Sequence, residues 1–204
     1  MGSRMILIVE SGATKGDWRV ISPSGEESAR FLAGGTNVST MTADAVRRII
    51  TETSEKIAAS GYDIEKIWFY TAGIPTPEAK ELLTGTFKTV FPDASIEIDD
   101  DLTAAARATC GHKKGIAAIL GTGSNSCLYD GKRITANVSP LGFILGDEGS
   151  GAVLGRHLLV LLLKDMLPTS LKETFLDQYS LTPTAIIEKV YRQPQPNHFL
   201  ASLV

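Results

Sequence analysis

The chain has 204 residues, of which 43% are apolar and 21% charged, with a formal net charge of −3. This composition supports the core of one large domain or two small ones, and the scattered Lys and Arg residues exclude the basic stripe typical of nucleic-acid binding. The most apolar run, Leu158–Leu163, is too short to cross a bilayer and predicts a buried helix, so no membrane partner is expected. Cys110 and Cys127 form no metal motif, and we expect a reducing, cytoplasmic location.

The first half of the chain predicts the order βββαβαβα. Apolar runs predict the strands, and amphipathic stretches that follow Thr42 and the Thr76-Pro77 pair predict capped helices. The predicted strands cover residues 5–9, 18–22, 28–32, 67–70 and 96–98, and the predicted helices cover residues 42–60, 76–90 and 102–109.

The same pattern begins again in the second half, which indicates a weak internal repeat. Three strands are predicted at residues 116–120, 126–129 and 133–136, and helices at 150–166, 171–179 and 184–192. The second copy lacks the later strands of the first, so we expect it to be incomplete.

Two loops rich in glycine and hydroxyl residues each follow an apolar strand. Such loops allow backbone N–H groups to approach an anion closely, because no side chain blocks the approach. Two of them predict a pair of hairpins that bind one polyphosphate, although each could also be an ordinary turn. The predicted phosphate contacts are Ser11, Gly12, Ala13, Thr14 and Lys15 in the first loop, and Gly121, Thr122, Gly123, Ser124 and Asn125 in the second.

Several acidic residues lie where strands or loops lead into helices. Asp101 follows a strand and could accept a proton as a general base. Alternatively, Asp99, Asp100 and Asp101 could cap the next helix. Their spacing alone favours the capping role. Asp147 and Glu148 could recognise a ligand or could offset a helix dipole.

Three motifs together resemble one family. GTGSNS (121–126), LGFILGDEGSG (141–151) and DDLTAAARA (100–108) are similar to sequences of the N-acetylglucosamine kinase and BadF/BadG/BcrA/BcrD ATPase family, within the actin, Hsp70 and sugar-kinase superfamily. The resemblance covers nearly all of residues 5–199. It implies an α/β fold of duplicated ribonuclease H-like (actin-like ATPase) domains at 1–112 and 113–204, the second of them incomplete.

The resemblance also implies a function. It implies ATP-dependent phosphoryl transfer to an amino sugar such as N-acetylglucosamine, with Asp101 as the general base. Glu10 and Asp101 are the carboxylates expected to hold Mg²⁺. The expected partner is a small-molecule amino sugar, and the resemblance is compatible with a homodimer. The residues that the resemblance places at the sugar are Asn37, Gly73, Asp101, Thr122, Gly142 and Asp147.

The chain departs from the family pattern in three ways. Glu10 stands where the family usually has Asp, and Gly16 stands where Thr is common. The glycine-rich loop that holds adenosine in the family is not found before Val204, so we expect a chain shorter than its family. Two alternatives stay open: an ATPase that activates a partner enzyme, for whose shared iron–sulfur cluster Cys127 is poorly placed, and a sensing module for sugar or nucleotide.

Overall fold

The computed structural model describes residues 4–12, 15–38, 41–72 and 76–204. The chain divides into two compact units, Met1–Ala108 and Thr109–Val204. Each unit is described by itself below.

The first unit has the order βββαβαβα, as the sequence predicts. Its strands are β1 (Met5–Ser11), β2 (Lys15–Ile21), β3 (Glu27–Gly34), β4 (Ile64–Thr71) and β5 (Ser95–Asp100), and its helices are α1 (Ala43–Ala59), α2 (Pro77–Val90) and α3 (Asp101–Cys110), whose last turn crosses into the second unit.

The five strands form one sheet in the order β3-β2-β1-β4-β5. The first three strands pair antiparallel, and β4 and β5 then run parallel to β1. The carboxyl ends of β1, β4 and β5 therefore lie at the same edge of the sheet, which is where ligands bind in open α/β folds.

The core of the first unit lies between the sheet and the helices α1 and α2. Alternate residues of β1 and β2 point to this side, as period-two patterning requires. Trp18, Phe69 and Phe87 fill the middle of the core, with ring centroids 5.4 to 6.3 Å apart. Thr42 and Thr76 cap the two helices through their side chains, which confirms both predicted helix starts.

The second unit begins with the antiparallel sheet β6-β7-β8 and continues with helices. The strands are β6 (Gly115–Leu120), β7 (Ser124–Tyr129) and β8 (Ile134–Val138), and the helices are α4 (Gly142–Leu145), α5 (Gly151–Leu163), α6 (Thr169–Gln178), α7 (Pro183–Tyr191) and α8 (Pro196–Ala201). The sequence did not predict α4 or α8, which are one to two turns long.

The apolar run in α5 is only partly buried. Leu159 and Leu162 lie in the helical core of the second unit, whereas Val160 and Leu161 are 44% and 37% exposed. The prediction of a buried helix is therefore right for one face only, because a helix packed on one side exposes the other. Within the described part of the chain, no helix has both the length and the apolar character needed to cross a membrane.

Candidate active site

A buried hydrogen-bond network joins β1, β4 and the loop that follows β3. The N–H and the hydroxyl of Thr36 both donate to the Oγ of Ser11, at 2.8 and 2.7 Å. Thr71, at the end of β4, donates its hydroxyl to the Thr36 carbonyl at 2.7 Å. The three side chains are no more than 1% exposed. The network holds the loop at the edge of the sheet and so places Asn37, the next residue.

The first predicted phosphate loop begins where this network ends. The Gly12 N–H donates to the Lys15 carbonyl at 3.0 Å, which closes the hairpin between β1 and β2. The Ser11 hydroxyl is committed to Thr36. Ala13 and Thr14 lie outside the described residues, as does Gly73, which was predicted to contact the sugar.

The three consecutive aspartates have three different surroundings. Asp99 forms an ion pair with Arg107 at 3.2 Å. The Oδ1 of Asp100 accepts the Thr103 N–H at 2.6 Å and so caps α3. Asp101 has no ion-pair partner among the residues that the structure describes. The Thr103 N–H is thus capped by Asp100, whereas the Asp101 carboxyl interacts with the N–H groups of Asp101 and Leu102 at the start of α3.

Desolvation raises the pKa of the Asp101 carboxyl above its ordinary value. The N–H of Leu102 at the start of α3 partly offsets this effect, and the charge of Asp100 adds to it. A carboxyl with a raised pKa holds a proton more readily than an exposed one. The direction of this shift is the one that a carboxylate would need in order to act as a general base.

Glu10, near the end of β1, interacts electrostatically with Asp101. Desolvation raises the pKa of Glu10, the charges of Asp101 and Asp17 raise it further, and Lys15 lowers it. The two predicted metal-binding carboxylates are thus close enough to repel each other. A cation bound between them would relieve this repulsion, and one or two carboxylates are the usual protein ligands of Mg²⁺ in phosphate sites. The donor set therefore fits the metal that the family implies.

An arginine that the sequence reasoning missed fixes the junction between β5 and α3. Arg107 pairs with Glu97 at 2.8 Å, donates to the Tyr70 hydroxyl at 3.0 Å, and lies 5.0 Å from the ring centroid of Trp68. Together with the ion pair to Asp99, these contacts anchor α3 to β4 and β5. They therefore fix the junction at which Asp101 lies. No local sequence signal could reveal this cluster, because its members come from three separate elements.

In the second unit, the predicted phosphate loop turns between β6 and β7. The Gly121 N–H donates to the Gly123 carbonyl at 2.9 Å. The carbonyls of Gly121 and Thr122 accept the N–H groups of Gly151 and Ala152, at 2.8 and 3.2 Å. The loop is thereby attached to the first turn of α5.

A second attachment comes from the segment before α5. Asp147 accepts the Ser124 N–H on its Oδ1 at 3.3 Å, and the Ser124 hydroxyl donates to the Glu148 carbonyl at 2.9 Å. Asn125 faces elsewhere: its Oδ1 accepts the side-chain amide of Asn137 at 2.8 Å, so this oxygen connects β7 to β8.

The two remaining predicted sugar contacts of the second unit lie in one short segment. Gly142 begins α4, and its carbonyl accepts the Gly146 N–H at 2.8 Å. The Asp147 N–H donates to the Pro140 carbonyl, also at 2.8 Å. Asp147 is 8% exposed, so the segment folds back on itself and buries this carboxylate.

Comparison with known proteins identifies a family. Residues 9–178 match the model of the BadF/BadG/BcrA/BcrD ATPase family. The chain is 24% identical over 156 residues to an N-acetylmuramic acid/N-acetylglucosamine kinase of Clostridium acetobutylicum, a match that covers 74% of this chain and 51% of that protein. It is 26% identical over 200 residues to an N-acetyl-D-glucosamine kinase of Dictyostelium discoideum, covering 89% of this chain and 62% of the relative. The chain thus spans between half and two thirds of the length of these relatives.

Solved structures agree with this relationship. A proposed N-acetylglucosamine kinase from Porphyromonas gingivalis is 48% identical, with a TM-score of 0.88, and the match covers 97% of this chain and 70% of that one. A ROK family glucokinase from Streptomyces griseus, solved with glucose and AMPPNP, has a TM-score of 0.56 at 17% identity; the match covers 96% of this chain and 74% of that one. The second likeness concerns the fold alone, and it supports the actin-like, ribonuclease H-like architecture predicted from the sequence.

Proposed function

The chain belongs to the BadF/BadG/BcrA/BcrD ATPase family, and on that basis we propose that it carries out ATP-dependent phosphoryl transfer to an amino sugar. The observation that supports this function best is the environment of Asp101. It lies at the carboxyl edge of the sheet, has a raised pKa, and has no ion-pair partner among the described residues, whereas the two preceding aspartates serve the fold.

The proposed reaction moves one proton and one phosphoryl group. A sugar hydroxyl oxygen attacks the γ-phosphorus of ATP, and the bond from this phosphorus to the β–γ bridging oxygen breaks. The proton of the hydroxyl passes to the Asp101 carboxylate, and ADP leaves with the bridging oxygen. Asn37, which follows Thr36 of the buried Ser11–Thr36–Thr71 network, is proposed to contact the sugar.

Glu10 and Asp101 would hold Mg²⁺. When bound, this ion would neutralise charge on the β- and γ-phosphate oxygens. In the second unit, the backbone N–H groups of Thr122 and Gly123 are proposed to bind phosphate oxygens. The sugar class follows from the relatives, whose names contain N-acetylglucosamine and N-acetylmuramic acid.

The test is ADP release by the purified protein with saturating MgATP and a panel of sugars. The panel contains N-acetylglucosamine, N-acetylmuramic acid, N-acetylmannosamine and glucose. We expect turnover with at least one amino sugar, and a loss of roughly 10²-fold or more in kcat when Asp101 is changed to Asn.

Asp100→Asn is the matched control. It makes the same chemical change one residue earlier, and asparagine caps a helix as well as aspartate does, so turnover should stay within a few-fold of the parent. Absence of turnover with every sugar, or equal losses in the two variants, would contradict the proposal. ATP hydrolysis that needs no sugar would instead favour an ATPase that acts on a partner protein.

A further inference from the structure

The carboxylate of Asp147 is buried directly against the loop between β6 and β7. Its Oδ1 accepts the Ser124 N–H at 3.3 Å. A side chain at Gly123 would place its Cβ 2.9 Å from the Asp147 Oδ2 and 3.3 Å from the Cγ. A residue other than glycine at position 123 would therefore force the Asp147 carboxylate to shift, because real Cβ atoms do not come so near. The loop between β6 and β7 and the segment that contains Asp147 are therefore in direct contact.

Asp147 adopts an unusual backbone conformation to make this contact. Its φ is +54°, a region that aspartate and asparagine tolerate better than other side chains. Its N–H donates to the Pro140 carbonyl at 2.8 Å, and its carbonyl accepts the Ser150 N–H at 3.0 Å. Such strained residues persist where the surroundings hold them firmly, and they cluster at functional sites.

The contacts leave particular groups of the loop available. The carbonyls of Gly121 and Thr122 are bonded to the start of α5, and the Ser124 N–H is bonded to Asp147. The N–H groups of Thr122 and Gly123 have no hydrogen-bond partner in the described part of the chain. Two consecutive free N–H groups in a tight turn form an anion-binding concavity.

We propose that Asp147 is a positioning residue that holds the loop at residues 121–124 in its phosphate-binding conformation. This inference rests on the proposed function and goes beyond it: in addition to the sugar contact that the resemblance implies for Asp147, the geometry assigns it a role at the nucleotide loop. The hydrogen bond matters for this role, and the negative charge does not. An asparagine should therefore replace the carboxylate, because its Oδ1 can accept the same N–H.

The test compares Asp147→Asn with Asp147→Gly. Glycine removes the side chain without backbone strain, since it adopts positive φ freely. Calorimetric titration with Mg·ADP in the absence of sugar is expected to give a Kd for Asp147→Asn equal to or lower than that of the parent. For Asp147→Gly we expect a Kd raised by roughly 10-fold, the scale of one hydrogen bond.

The matched control is Asp130→Ala, at the other end of β7. The Asp130 Oδ1 accepts the N–H groups of Lys132 and Arg133 at 2.8 and 2.9 Å, so it supports a turn in the same way. This variant should leave the Kd for Mg·ADP unchanged. A rise equal to that of Asp147→Gly would mean that loss of any such support weakens binding, and would overturn the assignment.

A second measurement does not depend on nucleotide binding. Hydrogen exchange of the peptide containing residues 121–126, without ligand, should be faster in Asp147→Gly and unchanged in Asp147→Asn. If the parent binds no nucleotide, the proposed function fails, but this measurement still decides whether Asp147 holds the loop. Unchanged exchange in Asp147→Gly, or a raised sugar KM with an unchanged Kd for Mg·ADP, would overturn the inference.

Discussion

The Oγ of Ser11 accepts two hydrogen bonds from Thr36, one from its N–H at 2.8 Å and one from its hydroxyl at 2.7 Å. Both residues are essentially inaccessible to solvent. One serine oxygen thus satisfies a buried backbone group and a buried side chain of the loop that presents Asn37.

We expect Ser11→Ala to lower the free energy of unfolding of the first unit by about 2 kcal/mol, because it leaves a buried N–H without a partner. Both tryptophans, Trp18 and Trp68, lie in this unit, so tryptophan fluorescence during urea denaturation reports its unfolding. The KM for sugar should also rise, because Asn37 loses its support.

Ser54→Ala is the control for this experiment. Ser54 is equally buried in α1, but its Oγ has no hydrogen-bond partner in the described residues. Removing this hydroxyl should leave stability unchanged or raise it by about 1 kcal/mol. Equal destabilisation by the two serine variants would show that the bonds to Thr36 contribute nothing specific.

Asp101→Asn is expected to stabilise the protein at pH 8 while it lowers kcat by roughly 10²-fold or more. The pKa of Asp101 is raised in the folded state, so the folded protein binds this proton more tightly than the unfolded chain does. Stability is therefore lost as pH rises through the folded pKa, and the amide removes this loss.

Thermal unfolding at two pH values checks this expectation. The gain in Tm should be present at pH 8 and absent below about pH 3, where the carboxyl is protonated in both states. Glu10→Gln should change Tm in the same direction, since the pKa of Glu10 is also raised. A lower Tm for Asp101→Asn at pH 8 would contradict the surroundings described for this carboxyl.

Asp17 is expected to show the opposite dependence on pH. Side-chain hydrogen bonds from Arg30 and Arg19 lower its pKa to about 2. Its contribution to stability is present above its ordinary pKa of about 4 and is lost as pH falls toward 2. Asp17→Asn should lower stability at pH 7, because it weakens the hydrogen bonds from the two arginines. The loss should be small, because solvent screens these exposed pairs. The two proteins should become equally stable near pH 2, a convergence that acid titration followed by tryptophan fluorescence would reveal.

Gly16 and Trp18 are expected to be coupled. A Cβ on Gly16 would lie 3.0 Å from the Trp18 Nε1 and 3.3 Å from the Gly34 carbonyl oxygen and the Ser11 Oγ. We expect Gly16→Ala to cost about 1 to 3 kcal/mol, because a packed core resists added volume. In a Trp18→Phe background, which lacks the Nε1, the penalty should shrink by about 1 kcal/mol.

Gly85→Ala provides the comparison for Gly16. Gly85 lies inside α2 with nothing within 4 Å of a new Cβ, so alanine should raise stability by about 0.5 to 1 kcal/mol. A double-mutant cycle in urea, read from the fluorescence of Trp68, measures the coupling of Gly16 to Trp18. Additive effects of the two changes would mean that the Trp18 indole is not the reason why alanine is unfavourable at position 16.

The sequence alone predicted the βββαβαβα order, the caps at Thr42 and Thr76, and the two glycine-rich turns. These features depend on neighbours in the chain: period-two alternation directs side chains to one face of a strand, and a hydroxyl before a helix accepts a nearby N–H. The boundaries were less accurate. For example, β2 begins at Lys15 rather than Trp18, because pairing with β1 and β3 extends the strand through polar residues.

Other features were decided only by the tertiary structure. The three aspartates have the same side chain, so the sequence could not show that Arg107 binds Asp99, that Asp100 caps α3 at Thr103, and that Asp101 forms no ion pair with the described residues. Helix α8 forms on α5, where Gly155 lies against the backbone of Leu200. A helix of six residues is unstable by itself. The contact between Asp147 and Ser124 likewise joins residues 23 positions apart. Such contacts depend on which surfaces the fold brings together, and no local pattern in the chain encodes them.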